Sequence, residues 1–274
     1  MILKSNGSLL AAATLFGGVM AIAGAVHATS IGVQFTETGD GKTVPVPAAT
    51  SAGYGSYAQA NWNQISGPNS GSTYTGSITA PMNSAGAAST GITFSYAGVH
   101  EFNQGASSGA PANGNEDLLS GAAVVESSSS PATLSFSGLG SGTYSLLVYT
   151  DYQGNGTNAY GAKFSVNGGS GSYVLEQDAA AFYATPTFTS NPAATAAGVS
   201  KVSNYLLFTN LTPVSGTISI SYEENSAVSG GTGHIGVNAI QLVTPAVPEP
   251  APLALLAIGG LGLVLLRRKA RAMA

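Results

Sequence analysis

The segment Leu134-Ser-Phe-Ser-Gly-Leu-Gly-Ser-Gly-Thr-Tyr-Ser-Leu-Leu-Val-Tyr149 decides the fold class. Its first four residues alternate apolar and polar, as a strand with one buried face does. Gly138-Leu-Gly-Ser-Gly142 then breaks the run with turn-forming residues, and Tyr144–Tyr149 resumes it as a more continuously apolar strand. The same grammar recurs outward in both directions. Ile31-Gly-Val-Gln-Phe, Ile92-Thr-Phe-Ser-Tyr, Lys163-Phe-Ser-Val, Tyr173-Val-Leu, Tyr205-Leu-Leu-Phe, Thr217-Ile-Ser-Ile-Ser-Tyr222 and Ile235-Gly-Val-Asn-Ala-Ile-Gln-Leu-Val243 all read as strands. Asn167-Gly-Gly-Ser-Gly171 and Ser229-Gly-Gly-Thr-Gly233 punctuate them. No stretch of residues 29–246 sustains the i, i+3, i+4, i+7 spacing of an amphipathic helix. The expectation is all-β: a single antiparallel β-sandwich of jelly-roll type over residues 29–244. Residues 103–121 and 177–201, rich in Ala, Ser, Gly and Pro, are expected to be long connections.

Composition narrows the function classes. The chain has 274 residues, 37 Gly, 13 Pro and no Cys. Between residues 29 and 246 only three lysines stand against eleven carboxylates, so that part carries about −8. So few cations cannot track a phosphate backbone, and nucleic acid is excluded as an expected partner. The lack of Cys removes disulfides, thiol catalysis and Cys-zinc sites together.

The two ends read as addresses. Residues 1–28 have the form of a secretory signal peptide: Lys4, an apolar Leu9–Val26 helix, and small residues before a cut between Ala28 and Thr29. Signal peptidase and the secretion machinery are the partners this implies. Residues 245–251 form a Pro-rich linker containing Val247, Pro248, Glu249 and Pro250. Residues 252–266 form an apolar transmembrane helix, and residues 267–274 a basic cytoplasmic tail with Arg267, Arg268, Lys269 and Arg271. A helix of 14–16 residues spans about 21–24 Å, short of the roughly 30 Å hydrocarbon core, which suits a transient stop. The basic cluster keeps the C-terminus in the cytoplasm and the main domain outside. Each proline fixes φ and extends its predecessor, so Val247–Pro250 is presented as a rigid, extended peptide.

This tripartite tail resembles the PEP-CTERM sorting signal of Gram-negative bacteria, with Val-Pro-Glu-Pro, helix and Arg-Arg-Lys in order. The resemblance implies recognition of Pro248-Glu249-Pro250 by an exosortase-type membrane protease that removes the tail. It also implies an exported protein, first held at the inner membrane and then delivered to the cell surface or to an exopolysaccharide and biofilm matrix. Leu134–Tyr149 and Val237-Asn-Ala-Ile-Gln-Leu242 are similar to galactose-binding-like jelly rolls, which implies a binding fold and carries no catalytic residue across.

Within residues 29–244 no catalytic constellation stands out. His100 and Glu101 are adjacent on a strand and so face opposite ways. Neither His100 nor His234 has a neighbouring nucleophile motif. Among the acids only Glu116-Asp117 and Glu223-Glu224 are neighbours, and a glycoside hydrolase needs two carboxylates across one bond. Asp151-Tyr-Gln-Gly-Asn155-Gly156 partly matches a calcium loop but has Gln153 and Ala162 at ligand positions, so it reads as a hairpin with structural calcium as the alternative. Tyr54, Tyr57, Trp62 and Tyr74 are either core and edge packing or a sugar-stacking platform. The expectation is a protein with no enzymatic activity and no cofactor, structural or exopolysaccharide-associating. The alternative is a secreted carbohydrate-active hydrolase using a carboxylate pair.

Overall fold

Alternating strands bury their apolar faces only by stacking sheets, and here two sheets do so. The computed structural model describes residues 29–39, 43–104, 114–125, 130–150, 160–169, 171–176, 201–202, 204–225 and 234–244. The strands are β1 (Ser30–Glu37), β2 (Asn63–Gly67), β3 (Tyr74–Thr79), β4 (Thr93–Val99), β5 (Glu101–Gln104), β6 (Gly121–Val125), β7 (Ala132–Ser137) and β8 (Tyr144–Tyr149). They continue with β9 (Tyr160–Val166), β10 (Ser172–Glu176), β11 (Lys201–Val202), β12 (Tyr205–Leu211), β13 (Thr217–Glu224), β14 (Ile235–Val237) and β15 (Ala239–Val243). One five-residue helix, α1 (Gly114–Leu118), joins them.

A five-stranded sheet runs β12-β8-β15-β1-β2, a seven-stranded sheet runs β11-β10-β9-β13-β7-β4-β3, and a small sheet runs β14-β6-β5. From β7 to β9 and from β12 to β15 the chain passes between the two large sheets, as a jelly-roll winding does. The pairing is antiparallel except for β1 with β2 and β10 with β11, which are parallel, so the sandwich is mixed where a purely antiparallel one is expected. Between the sheets lie Ile31, Val33 and Phe35 of β1, Leu146 and Val148 of β8, and Ile240 and Leu242 of β15. Facing them are Phe94, Leu134, Phe136, Phe164, Ile218, Ile220 and Tyr222 of the seven-stranded sheet.

The other face of the five-stranded sheet is also covered, which is why β1 is buried along nearly all its length. Residues 43–62 and α1 form a strap over it. Val46, Ala52, Trp62, Leu118 and Leu119 pack there on Leu147, Tyr149, Tyr205 and Ala239 in a second apolar cluster. Polar side chains of the sheet bind the strap's main chain. Gln34 Nε2 donates to Val44 O and Asp117 O, and Gln34 Oε1 accepts from Val46 N. Gln241 Nε2 donates to Tyr57 O at 2.7 Å. Gly32 lies under the strap because an added Cβ would stand 2.4–2.6 Å from Gln59 Nε2 and the Trp62 ring.

Several expected features change. The connection expected over 103–121 contains the end of β5 and all of α1, with 105–113 outside the described residues. The single strand expected over Ile235–Val243 breaks at Asn238, whose buried Nδ2 donates to Leu119 O and Gly121 O. Strands β2, β3, β5, β6 and β11 form where none is expected. Among the described residues no helix is long and apolar enough to cross a membrane. The signal helix 1–28, the linker 245–251, the span 252–266, the basic tail 267–274 and most of the 177–201 connection lie outside the described residues.

Candidate ligand-binding face

The outward face of the seven-stranded sheet is built from hydroxyls. In β3, β4, β7 and β13 the core-facing residues alternate mainly with Ser or Thr, and strand pairing brings those residues into rows. Thr79, Thr93, Ser137 and Thr217 form one row. Ser77, Ser95, Ser135 and Ser219 form the next. Ala97, Thr133, Ser221 and Ser165 form a third. Neighbours across a row stand about 4.8 Å apart and successive rows about 6.7 Å apart. The array ends at an ion pair, Lys163 Nζ to Glu223 Oε1 at 2.7 Å.

Over β3, β4 and β7 this face dips into a depression of about 340 Å³, lined by Thr75, Gly76, Ser77, Ser95, Tyr96, Ala97, Thr133 and Ser135. Two local features shape it. The small Ala97 stands opposite Thr133 at its centre. A bulge in β4 sets Tyr74 opposite Val99 but Gly76 opposite Tyr96. Gly98 absorbs the bulge at φ 75°, where a Cβ would lie 2.9 Å from Pro131 O. Tyr96 contributes the one titratable group in this lining, and burial raises its pKa. Serine and threonine hydroxyls both donate and accept, so this surface can follow a neutral polyhydroxylated chain. It offers no formal charge to hold an anion.

The residues singled out in the sequence lie elsewhere. Tyr54 stacks on Tyr205 with ring centroids 4.3 Å apart. Trp62 is 3% exposed, meets Tyr149 edge-on at 5.9 Å and donates from Nε1 to Gln59 O at 3.0 Å. Tyr74 packs on Phe102 at 5.7 Å, away from the strap. Tyr54 and Tyr57 pack at the edge of the cluster that buries Trp62, while Tyr74 packs on the other core, so the four form no common platform. Glu116 and Asp117 are buried on α1, and burial, followed by the Glu116 charge, raises the Asp117 pKa. Glu223 pairs with Lys163, and neighbouring Glu224 is half-buried. Buried Glu101 accepts from Asn103 Nδ2 at 2.8 Å, with His234 Nδ1 3.7 Å away. His100 points instead toward Gly71. Among the described residues no group of three His, Cys, Asp or Glu could hold a metal ion. The Asp151–Gly156 loop, Ala28, Val247, Pro248, Glu249, Pro250, Arg267, Arg268, Lys269 and Arg271 lie outside the described residues. Thr29 is in place at the start of β1, its main-chain O accepting from Thr244 N at 2.9 Å.

The strand topology defines an all-β sandwich protein. Residues 246–269 match the PEP-CTERM protein-sorting motif, a signal for exosortase-dependent sorting of an exported protein. No curated protein matches the chain. Two solved structures have limited similarity to it. One is the CBM35 from Cellvibrio japonicus Abf62, at TM-score 0.26 and 15% identity over 42% of this chain and 64% of that one. The other is an exo-beta-1,3-galactanase from Phanerochaete chrysosporium bound to galactose, at TM-score 0.25 and 14% identity over 45% of this chain and 23% of that one. The chain thus spans less than two thirds of the first and about a quarter of the second. At these scores the sandwich rests on its own strand topology.

Proposed function

We propose that the domain is a non-catalytic module of the Gram-negative cell surface that associates with a neutral exopolysaccharide of the biofilm matrix through its hydroxyl face. The observation that carries this reading is the register of Ser and Thr across β3, β4, β7 and β13 around a depression lined without a formal charge. A neutral glycan exchanges its water for protein hydroxyls there without desolvating an ion. The acids of the alternative hydrolase do not line the depression, so a carboxylate pair has no part in this reading.

The test is co-sedimentation of the protein with the producing organism's own exopolysaccharide, with calcium and with chelator. Saturable pelleting is expected, equal in both conditions. It should fall at least tenfold in a Ser95→Glu, Ser135→Glu double variant whose melting temperature is unchanged. Absence of pelleting refutes the proposal. Pelleting that the double variant retains moves the site to another face, and loss on chelation moves it to the Asp151 loop.

A further inference from the structure

Strand β3 is the outer edge of the seven-stranded sheet. We propose that it is a self-association edge, where a second copy of this chain pairs antiparallel through β3 and joins the two seven-stranded sheets into one. This stands apart from the glycan reading and rests on main-chain geometry. Ala80 N donates to Ile92 O across the β3–β4 register. Main-chain groups in an antiparallel strand alternate in direction, so Gly76 and Ile78 also point at β4. Thr75, Ser77 and Thr79 therefore turn their N–H and C=O groups away from the sheet. Among the described residues no main-chain bond meets them on that side.

Edges of this kind are ordinarily closed by a charge, a proline or a bulge. Tyr74-Thr-Gly-Ser-Ile-Thr79 contains neither charge nor proline. The extra residue of the nearby bulge belongs to β4, so β3 itself stays regular.

A second copy is the occupant this edge fits because the edge is self-complementary. A two-fold axis at Ser77 places Ser77 opposite its own copy and Thr75 opposite Thr79, each as a hydrogen-bonded pair, giving about six main-chain bonds. The same axis carries the row Ser77–Ser95–Ser135–Ser219 directly into its counterpart, making eight serines in line. On the core side Ile78 then meets Gly76 of the other copy, so a half-buried side chain gains cover where the facing residue leaves room.

The experiment uses the full chain purified in mild detergent, with sedimentation across a wide protein concentration range. A species of twice the protomer mass is expected. Ser77→Lys and Ser77→Glu each place like charges across the axis on an exposed residue and should abolish it. Mixing those two variants should restore it. The chain has no cysteine, so Ser77→Cys adds one unique thiol. At a Cα separation of about 5.5 Å it should form a disulfide dimer under a mild oxidant. Ser95→Cys, roughly 15 Å from its copy, should not. A protomer at every concentration overturns the proposal. So does a dimer that Ser77→Lys leaves intact, or cross-linking through position 95 and not 77.

Discussion

Replacing Tyr149 by Phe removes one oxygen from the interface between strap and sheet, and the structure fixes what that oxygen does. Tyr149 OH donates to Gln241 Oε1 at 3.0 Å and accepts from Tyr54 N at 3.1 Å, in a site closed to solvent. The variant keeps the ring, and with it the edge contact to Trp62. It leaves a main-chain donor and a buried amide oxygen without this partner. A buried unsatisfied polar group costs about 1–3 kcal/mol, so at pH 7 the variant should melt lower by about 2–12 °C for a domain of this size. The hydroxyl's ionisation gives a second, independent signature. Burial first, then the nearby Tyr205, raises the Tyr149 pKa, and the Tyr54 N–H only partly opposes this. Above pH ~10 the unfolded chain loses this proton while the folded chain keeps it, so wild-type stability falls by about 1.4 kcal/mol per pH unit from this group. The variant's phenyl ring has no such proton to lose. The stability gap between the proteins, measured by urea unfolding, should therefore be about 1.4 kcal/mol narrower at pH 11 than at pH 7. Tyr96 titrates alike in both and cancels. An equal gap at the two pH values would show that Tyr149 ionises as freely folded as unfolded, and the closed strap would be wrong.

Two further perturbations probe the same layer. Asp117→Asn should raise the melting temperature at pH 7, because burial and the Glu116 charge disfavour its ionised form in the folded state. The gain should vanish near pH 3, where both states are protonated, and the strap bonds to Asp117 O are main-chain and survive. Gly32→Ala should drive a methyl into Gln59 and the Trp62 ring, lifting the strap. Trp62 is the single tryptophan, so the change should appear as a red-shifted fluorescence maximum with the far-ultraviolet sheet signal retained. An unshifted maximum would mean that the ring is not seated on Gly32.

How much of this was legible follows the physics of each element. Strands β7 and β8 were readable from Leu134–Tyr149 because alternation and a glycine turn are local properties; Gly138 occupies φ 77° with its Cβ position 1.8 Å from Gly91 O. Strand β2, Asn-Gln-Ile-Ser-Gly, and strand β6, Gly-Ala-Ala-Val-Val, carry weak local signals and become strands through their neighbours. Gln34, Asn238 and Gln241 look like solvent-facing positions in sequence, yet all three are fully buried, because the strap and the Leu119–Gly121 segment supply main-chain partners from 10 to 184 residues away. The hydroxyl rows were half legible. The alternating Thr and Ser of residues 93–95, 133–135 and 217–221 show in the sequence. Their alignment is a matter of register between strands as much as 140 residues apart, which no local pattern encodes.

The order of strands also constrains how sorting and folding fit together. The last strand, β15, lies between β1 and β8, inside the five-stranded sheet. That sheet lacks its central strand until Val243 is available, and its first-to-last pairing runs from Ser30 opposite Val243 to Gln34 opposite Ala239. The outermost bond of this pairing joins Thr244 N to Thr29 O. The expected signal cut falls just before Thr29, and the sorting motif begins at residue 246. Processing at those two points would leave the pairing from Thr29 to Thr244 intact. A sorting signal placed even five residues earlier would take part of β15 with it and open the sheet at its centre.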